Sequence, residues 1–304
     1  MGGALILLAS AVSAGLVFLV AFAVSGVPSI NGWNMSAIRV FSRTPLALLS
    51  AIVGSQLGLG VATIAATAAS GAAWRVRLGL VRPRAPLGLL PLFVVASIAM
   101  TLAGIVLVEV LARWSWIPEI GTGRRELARR FMAAPGSWAI PIGLAASVLP
   151  GWCEELAFRG YVLRGLLARW APWAAIGVSA AMFAVAHGDP AYAVFTFPDG
   201  LWLGYLAWRT GSIIPGMVCH AAVNGTFQTL GRIAMGGAAQ SGAEFGASPS
   251  SDAARAGTGA TLAFVALALA PAVWASVRGV ERAARAEREP AGSGAPAAHD
   301  SASG

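Results

Sequence analysis

The chain has 304 residues, of which 57% are hydrophobic and only 11% are charged. Soluble domains usually carry about 25% charged residues, so this composition excludes an ordinary cytosolic enzyme and a disordered chain. The net charge is +8, but all 21 basic residues are arginines in short clusters between long apolar runs. That distribution is typical of membrane topology and not of a nucleic-acid-binding surface. We therefore predict a polytopic membrane protein without a nucleic-acid partner.

Apolar segments long enough to cross a bilayer recur along the chain, since about 20 residues span the hydrocarbon core. None shows the alternation of a β-strand, so we predict an all-α fold, a bundle of about eight transmembrane helices. Residues 1–286 are expected to form a single membrane domain, followed by a disordered cytoplasmic tail at 287–304. The Gly-, Ala- and Ser-rich stretch 236–257 is expected to be a loop. The predicted helices are 4–25, 46–69, 87–112, 136–169, 173–187, 191–209, 212–234 and 259–277.

Arginine clusters at the helix ends predict the orientation of the bundle. With eight helices, both termini and the connections after the second, fourth and sixth helices lie in the cytoplasm, and the protein lies in the cell membrane. The arginines between 113 and 130 disagree, because the third connection would lie outside. We interpret 124–133 as an amphipathic helix at the membrane interface, although a helix count wrong by one would also explain the disagreement. The arginines that agree are Arg75, Arg77, Arg82, Arg84, Arg164, Arg169, Arg209, Arg278, Arg282, Arg285 and Arg288.

Charged side chains inside apolar helices are the strongest functional signal, because each costs about 2.5–3.5 kcal/mol at the centre of a bilayer. Glu154, Glu155 and Arg159 lie together in the predicted helix 136–169. Their spacing places Glu155 and Arg159 on one face as an ion pair. Glu154 points about 100° away and is left to act as a general base. A buried ion-pair cluster that only holds helices together is the structural alternative.

Two histidines also fall in apolar helices. Phe183 and His187 share a helix face at a spacing of four, and so do His220 and Asn224. Together with Glu154, these groups could activate a water molecule and stabilise an oxyanion. A lone histidine in a helix more often makes an interhelical hydrogen bond, but two of them near an intramembrane glutamate pair favour a catalytic site.

Four further residues are weaker candidates. Cys153 and Cys219 directly precede the motif glutamate and histidine, so neither needs to face the site, and we interpret both as small buried hydrophobic residues. Asp189 is interpreted as a loop cap and Asp199 as a helix-end residue.

Three motifs follow one another on successive predicted helices: Glu-Glu-x-x-x-Arg, Phe-x-x-x-His and His-x-x-x-Asn. This ordered set resembles the CPBP family, which comprises the type II CAAX prenyl endopeptidases and the bacteriocin-processing or Abi proteins. The motif-bearing region covers about 136–234, and all three motifs are intact. The resemblance implies an eight-helix intramembrane endopeptidase with a hydrophilic cavity that opens towards the cytoplasm.

The resemblance also implies a role for each motif residue. By analogy, Glu154 activates water and His187 positions it. His220 and Asn224 stabilise the tetrahedral oxyanion. The orienting residues are Glu155, Arg159 and Phe183.

Members of the family are described both as metalloproteases and as glutamate-dependent proteases, and the sequence leaves this choice open. Glu154, His187 and His220 could hold a divalent metal such as zinc with an open position for water. In that case, proton transfer and oxyanion stabilisation would fall to Glu155 or Asn224.

The resemblance implies a hydrophobic or lipidated, CAAX-like peptide as substrate. The lysine-free, arginine-rich composition is typical of a GC-rich bacterial genome, and bacteria generally lack prenylated CAAX proteins, so the physiological substrate stays open. Two other classes of function also stay open. One is a non-catalytic membrane adaptor or bacteriocin-immunity protein on the same scaffold. The other is a proton-coupled transporter, because intramembrane Glu and His side chains also form proton relays.

Overall fold

In this computed structural model, every regular element within the described residues is a helix; these residues are 2–28, 34–70, 73–118, 120–241 and 252–286. The predicted all-α fold is therefore confirmed for that part of the chain. The helices in chain order are α1 (Gly2–Val24), α2 (Met35–Ser42), α3 (Pro45–Ala68), α4 (Trp74–Arg77), α5 (Leu90–Arg113, after a 3₁₀ turn at Leu87–Leu89), α6 (Thr122–Met132), α7 (Gly136–Glu154), α8 (Pro172–Val185), α9 (Pro190–Thr210), α10 (Ile214–Ser241) and α11 (Asp252–Ala286).

Three helical segments in the described part of the chain are long and apolar enough to cross a membrane: Leu5–Val24, Pro45–Ala68 and Leu87–Arg113. They coincide with the first three predicted spans, which are confirmed as candidate membrane helices. The other five predicted spans correspond to helices α7 to α11. That these helices also cross the bilayer, giving a total of eight, stays a prediction.

The fourth predicted helix is continuous but not uniform. α7 runs directly into a π-helical segment, Glu155–Leu163, which is followed by a last α-turn at Arg164–Leu167. A π-helix is rare and occurs preferentially at functional sites. Because it begins at the second motif glutamate, the change in backbone geometry falls inside the Glu-Glu-x-x-x-Arg motif.

Helices α3, α5, α7, α9 and α10 form the centre of the bundle. α7 packs between α3 and α10, while α5 contacts α9, α10 and α11. Glycines allow the helices to approach closely, as small residues do in membrane bundles. A Cβ atom at Gly151 of α7 would lie 2.9 Å from the backbone nitrogen of Ala221 in α10, so this contact requires glycine.

α6 is amphipathic, as predicted for 124–133. Arg125 and Arg129 are exposed, whereas Leu127 and Phe131 are partly buried against the bundle. Arg232 of α10 fastens the end of this helix by donating a hydrogen bond to the carbonyl group of Phe131. The location of α6 at a membrane interface stays a prediction.

The predicted loop at 236–257 is wrong at both of its ends. α10 continues to Ser241 and α11 begins at Asp252, so the alanines of these stretches support helix where their glycines suggested a loop. Residues 242–251 and the predicted tail 287–304 lie outside the described residues.

Candidate active site

A cavity of about 530 Å³ lies between the central helices and α6. Its walls are largely apolar, with side chains such as Leu48 of α3, Phe131 of α6 and Phe227 of α10. Polar side chains face the same space from helices α3, α5, α7, α9 and α10 and from the turn after α8. They include Gln56, Thr101, Glu154, His187, Asp199, His220 and Asn224.

Glu155 and Arg159 form an ion pair beneath the cavity. The Nη1 atom of Arg159 lies 2.7 Å from Oε1 of Glu155, and the side chains are 1% and 0% exposed. The guanidinium group also donates to the carbonyl of Gly200 and lies 4.3 Å from the ring centroid of Phe183. The predicted i, i+4 pair is therefore present, within the π-helical segment, and it links this segment to α8 and α9.

His220 connects the two carboxylates. Its Nδ1 atom lies 3.0 Å from Oε1 of Glu155, and its Nε2 atom lies 3.8 Å from Oε2 of Glu154. Because a carboxylate can only accept, Nδ1 must carry the proton in the shorter contact. Glu155 thereby fixes the orientation of the ring and directs Nε2 towards Glu154.

Glu154 differs from Glu155 in exposure and in partners. Its side chain is 14% exposed and borders the cavity. Its Oε1 atom accepts a hydrogen bond of 2.9 Å from Nε2 of Gln56 in α3. One carboxylate oxygen is therefore held by α3, and the other is directed to His220.

His187 follows the end of α8 and also borders the cavity. Its Nδ1 atom lies 2.9 Å from the carbonyl oxygen of Phe183, one helical turn earlier. The Phe183 ring packs edge-on against His187 and against His220, with centroid separations of 5.0 Å and 5.9 Å. Phe183 thus separates the two imidazoles and supports both.

The remaining candidates from the sequence lie either at the cavity, at a helix start or in the buried core. Asn224 borders the cavity one turn after the motif histidine. The interpretation of Asp189 as a cap is confirmed, because its Oδ1 atom accepts from the backbone N–H of Tyr192 at the start of α9. Cys153 and Cys219 are buried outside the cavity lining, in agreement with a hydrophobic role.

Two residues of the cavity were missed in the sequence. Asp199 lies inside α9, not at a helix end, and its Oδ1 atom accepts a hydrogen bond of 2.8 Å from Thr101 of α5. Gln56 is a polar residue in a predicted membrane span, and this anomaly could have marked it. Nothing local in the sequence indicates either partner, because both contacts join residues 98 positions apart.

The donor atoms do not fit a metal ion. No three His, Cys, Asp or Glu side chains among the described residues are placed to share one. The Nδ1 atoms of His220 and His187 face Glu155 and a backbone carbonyl, so only the Nε2 atoms of these rings could bind a metal ion. Glu154, His187 and His220 border one cavity, but the metal-binding arrangement considered for them is not formed.

Gly216 of α10 is required for the buried carboxylate. A Cβ atom at this position would lie 2.9 Å from Oε2 of Glu155. We expect Gly216→Ala to displace that carboxylate and to lower the free energy of unfolding by about 1–3 kcal/mol, as overpacking does. The measurement is the unfolding midpoint of the purified protein in detergent.

Gly225→Ala is the matched control for this prediction. It lies on the same helix, and its Cβ would meet Ser147 at an ordinary contact distance of 3.6 Å. Both substitutions gain helix propensity. Equal midpoints for the two variants would show that space beside Glu155 is not limiting.

The fold and the site together define a class of protein. Its regular elements are all helices in the described ranges, some of them candidate membrane spans, and they enclose a carboxylate–histidine centre in a largely apolar cavity. Residues 136–226 match the family described as type II CAAX prenyl endopeptidase Rce1-like. The resemblance drawn from the three motifs is thereby confirmed, and the matched region carries all of them. No curated protein and no solved structure shows a significant match to the chain.

Proposed function

We propose that the protein is a glutamate-dependent intramembrane endopeptidase that hydrolyses a peptide bond in a hydrophobic or lipidated substrate. One observation carries this proposal. The partly exposed Glu154 carboxylate lies 3.8 Å from an imidazole nitrogen of His220, whose other nitrogen is held by the fully buried Glu155. The apolar walls of the cavity suit a hydrophobic chain beside this polar centre.

Glu154 is the general base of the proposed reaction. It removes a proton from a bound water molecule through Oε2, because Oε1 is occupied by Gln56. The water oxygen attacks the carbonyl carbon, and the electrons of the C=O double bond move to its oxygen. When the tetrahedral intermediate collapses, the C–N bond breaks and Glu154 returns the proton to the leaving amine. The products are one carboxylic acid and one amine.

His220 and Asn224 stabilise the oxyanion in this proposal. The polar centre contains the carboxylates of Glu154 and Glu155 and the guanidinium of Arg159, so a doubly protonated His220 brings the net charge of these four groups to zero. Neutrality is favoured away from water. In that state Nε2 of His220 donates a hydrogen bond, as does the amide of Asn224.

His187 positions the attacking water. Donation from Nδ1 to the carbonyl of Phe183 leaves Nε2 as an acceptor for a water hydrogen in the neutral ring. The proposal places the protein in the cell membrane. Both termini lie in the cytoplasm, and the cavity opens to the cytoplasmic side.

The proposal is tested by peptide hydrolysis. We expect the protein in lipid nanodiscs to cleave a quenched fluorescent peptide that carries a prenyl group, and His220→Ala to lower kcat by about 100-fold or more, the usual loss for an oxyanion donor. Cys219→Ala, at the adjacent buried position, is the matched control and should retain activity. Chelators should leave the rate unchanged, because no three metal ligands converge in the part of the chain that the structure describes.

Two results would favour the other functions. Full activity of His220→Ala would contradict the assigned role. An unchanged cellular phenotype in Glu154→Gln would favour an adaptor, and a proton flux in liposomes that depends on Glu154 would favour a transporter.

Gln56 is assigned as a positioning residue for the base. We expect Gln56→Met, which keeps the side-chain length but removes the donor, to lower kcat about tenfold with little change in KM, since a net hydrogen bond to a charged group contributes about 1.5 kcal/mol or more. The measurement is steady-state hydrolysis of the same peptide. A rise in KM at constant kcat would instead indicate that Gln56 contacts the substrate.

A further inference from the structure

A second, smaller cavity adjoins the large one. It has a volume of about 140 Å³ and lies between α1, α3, α7 with its π-helical continuation, and the end of α8. Four side chains line both cavities and form the boundary between them: Gln56, Glu154, Phe183 and His187. The side chain assigned as the general base therefore borders two separate spaces.

Hydrogen-bond acceptors collect around the small cavity. Ser10 of α1 donates its hydroxyl proton to the carbonyl of Ser55, so its oxygen is left to accept. The Oε1 atom of Gln56 is buried and has no hydrogen-bond partner in the described part of the chain. The carboxylate of Glu154 can only accept. Because an unpaired buried acceptor is costly, these groups favour an occupant that donates hydrogen bonds.

Water meets these requirements. The small cavity has room for a few water molecules, each of which takes up about 30 Å³ in the liquid. A buried water molecule needs two to four polar partners, and this wall supplies them. When water donates its hydrogens to these acceptors, the lone pairs of its oxygen stay available for attack on a carbonyl carbon.

The large cavity is less suited to hold water while a substrate is bound. Its walls are largely apolar, and a hydrophobic chain that fills it expels water. The small cavity, at about 140 Å³, falls below the roughly 300–1,000 Å³ of pockets that bind drug-sized ligands, so a peptide segment does not fit there. Water in it therefore stays beside Glu154 during binding.

We infer that the small cavity is a hydration site that supplies the attacking water to Glu154 from outside the substrate cavity. Ser10, which belongs to none of the three motifs, holds water there. The supply of water to the reaction rests on the proposed endopeptidase function, whereas the hydration itself does not. One water molecule is consumed for each bond cleaved, and the shared boundary allows the small cavity to refill when the product leaves.

Phe158 reports the hydration directly. It is buried and lines the small cavity but not the large one. X-ray radiolysis of the protein in nanodiscs generates hydroxyl radicals from bound water, and mass spectrometry locates the side chains that they oxidise. We expect Phe158 to be oxidised and Phe93, which is buried outside both cavity linings, to stay unmodified. An unmodified Phe158 would overturn the inference and would indicate an apolar occupant, such as an acyl chain.

Ser10→Leu tests the supply of water to the reaction. Leucine fills part of the small cavity and removes an acceptor. We expect kcat for the prenylated peptide to fall about tenfold or more, equal to about 1.4 kcal/mol in the barrier, while the Kd of the peptide stays the same. The oxidation of Phe158 should fall as well. Ser10→Ala keeps the space and removes only the acceptor, so its loss of kcat should be smaller.

Ser36→Leu is the matched control. It makes the same replacement at an exposed position of α2, outside both cavity linings, and should change neither kcat nor the oxidation of Phe158. An equal loss of kcat in this variant would show that the effect of Ser10→Leu is not specific to the small cavity, and it would overturn the inferred supply.

Hydration and hydrolysis separate this inference from the proposed function. If Phe158 is oxidised but no peptide is cleaved, the endopeptidase proposal fails and the hydration site stands. If the peptide is cleaved and Ser10→Leu, with an unchanged unfolding midpoint, hydrolyses it at the wild-type rate, the inferred supply is wrong. Weaker peptide binding that accounts for the whole loss of rate would also overturn it, because Ser10 would then act on the substrate.

Discussion

Replacing Arg159 by methionine is expected to lower the free energy of unfolding by about 3–5 kcal/mol, because it leaves a buried carboxylate without its cation. Glu155 is fully buried, and Arg159 is its 2.7 Å partner. The substitution also removes the guanidinium from the Phe183 ring and from the carbonyl of Gly200. The ion pair therefore joins three elements of the bundle, and its loss should affect the whole cooperative unit.

A double-mutant cycle identifies the cause of this loss. Glu155→Gln combined with Arg159→Met removes both charges, and its amide can still accept from Nδ1 of His220. We expect the double variant to be more stable than Arg159→Met alone, measured by reversible unfolding in SDS mixed micelles. Strict additivity of the two single effects would show that packing, not the unpaired charge, is responsible.

Replacing Glu154 by glutamine is expected to lower kcat by about 10²–10⁴-fold, the usual contribution of a general base. An amide cannot accept the proton of the attacking water, although it fills the same volume. Because Glu154 is partly exposed and its ionic contact with His220 is long, the unfolding midpoint should change little. The loss of rate should therefore occur without a loss of fold.

Cys153→Ala is the matched control for this substitution. Cys153 is the preceding residue of α7, and it is buried outside the cavity lining. Its replacement should leave kcat within a few-fold of the wild-type value. Full hydrolysis by Glu154→Gln would end the proposal that this carboxylate activates water, whatever the state of the other motifs.

The motif residues could be predicted from the sequence because their signal is local. Charged and imidazole side chains are expensive in apolar helices, and a spacing of four reveals shared faces. The structure accordingly brings Glu154, His187, His220 and Asn224 to one cavity. The pairing of Glu155 with His220 was not foreseen, because it depends on how two helices pack 65 residues apart in the chain.

The cavity residues outside the motifs could not be predicted, because their contacts also depend on how distant helices pack. Gln56 and Asp199 acquire their roles only when α3 and α5 close the cavity, and neither belongs to a motif. The two ends of the predicted loop 236–257 were misassigned because glycine and alanine have opposite helix propensities, and packing decides between them. The arginines of α6 could be recognised as one face of an amphipathic helix, but the contact of its opposite, apolar face with the cavity required the tertiary structure.

The π-helical segment has a consequence for the spacing of the chain. Adding a residue to Glu155–Leu163, or removing one, would rotate the helical turn after this segment by about 100° relative to Glu154, even if every named side chain were kept. Arg164, which donates to the carbonyl of Gly211, would then point elsewhere. Between these two anchors the number of residues is therefore as constrained as their identity, and this stretch should tolerate conservative substitutions far better than a change in length.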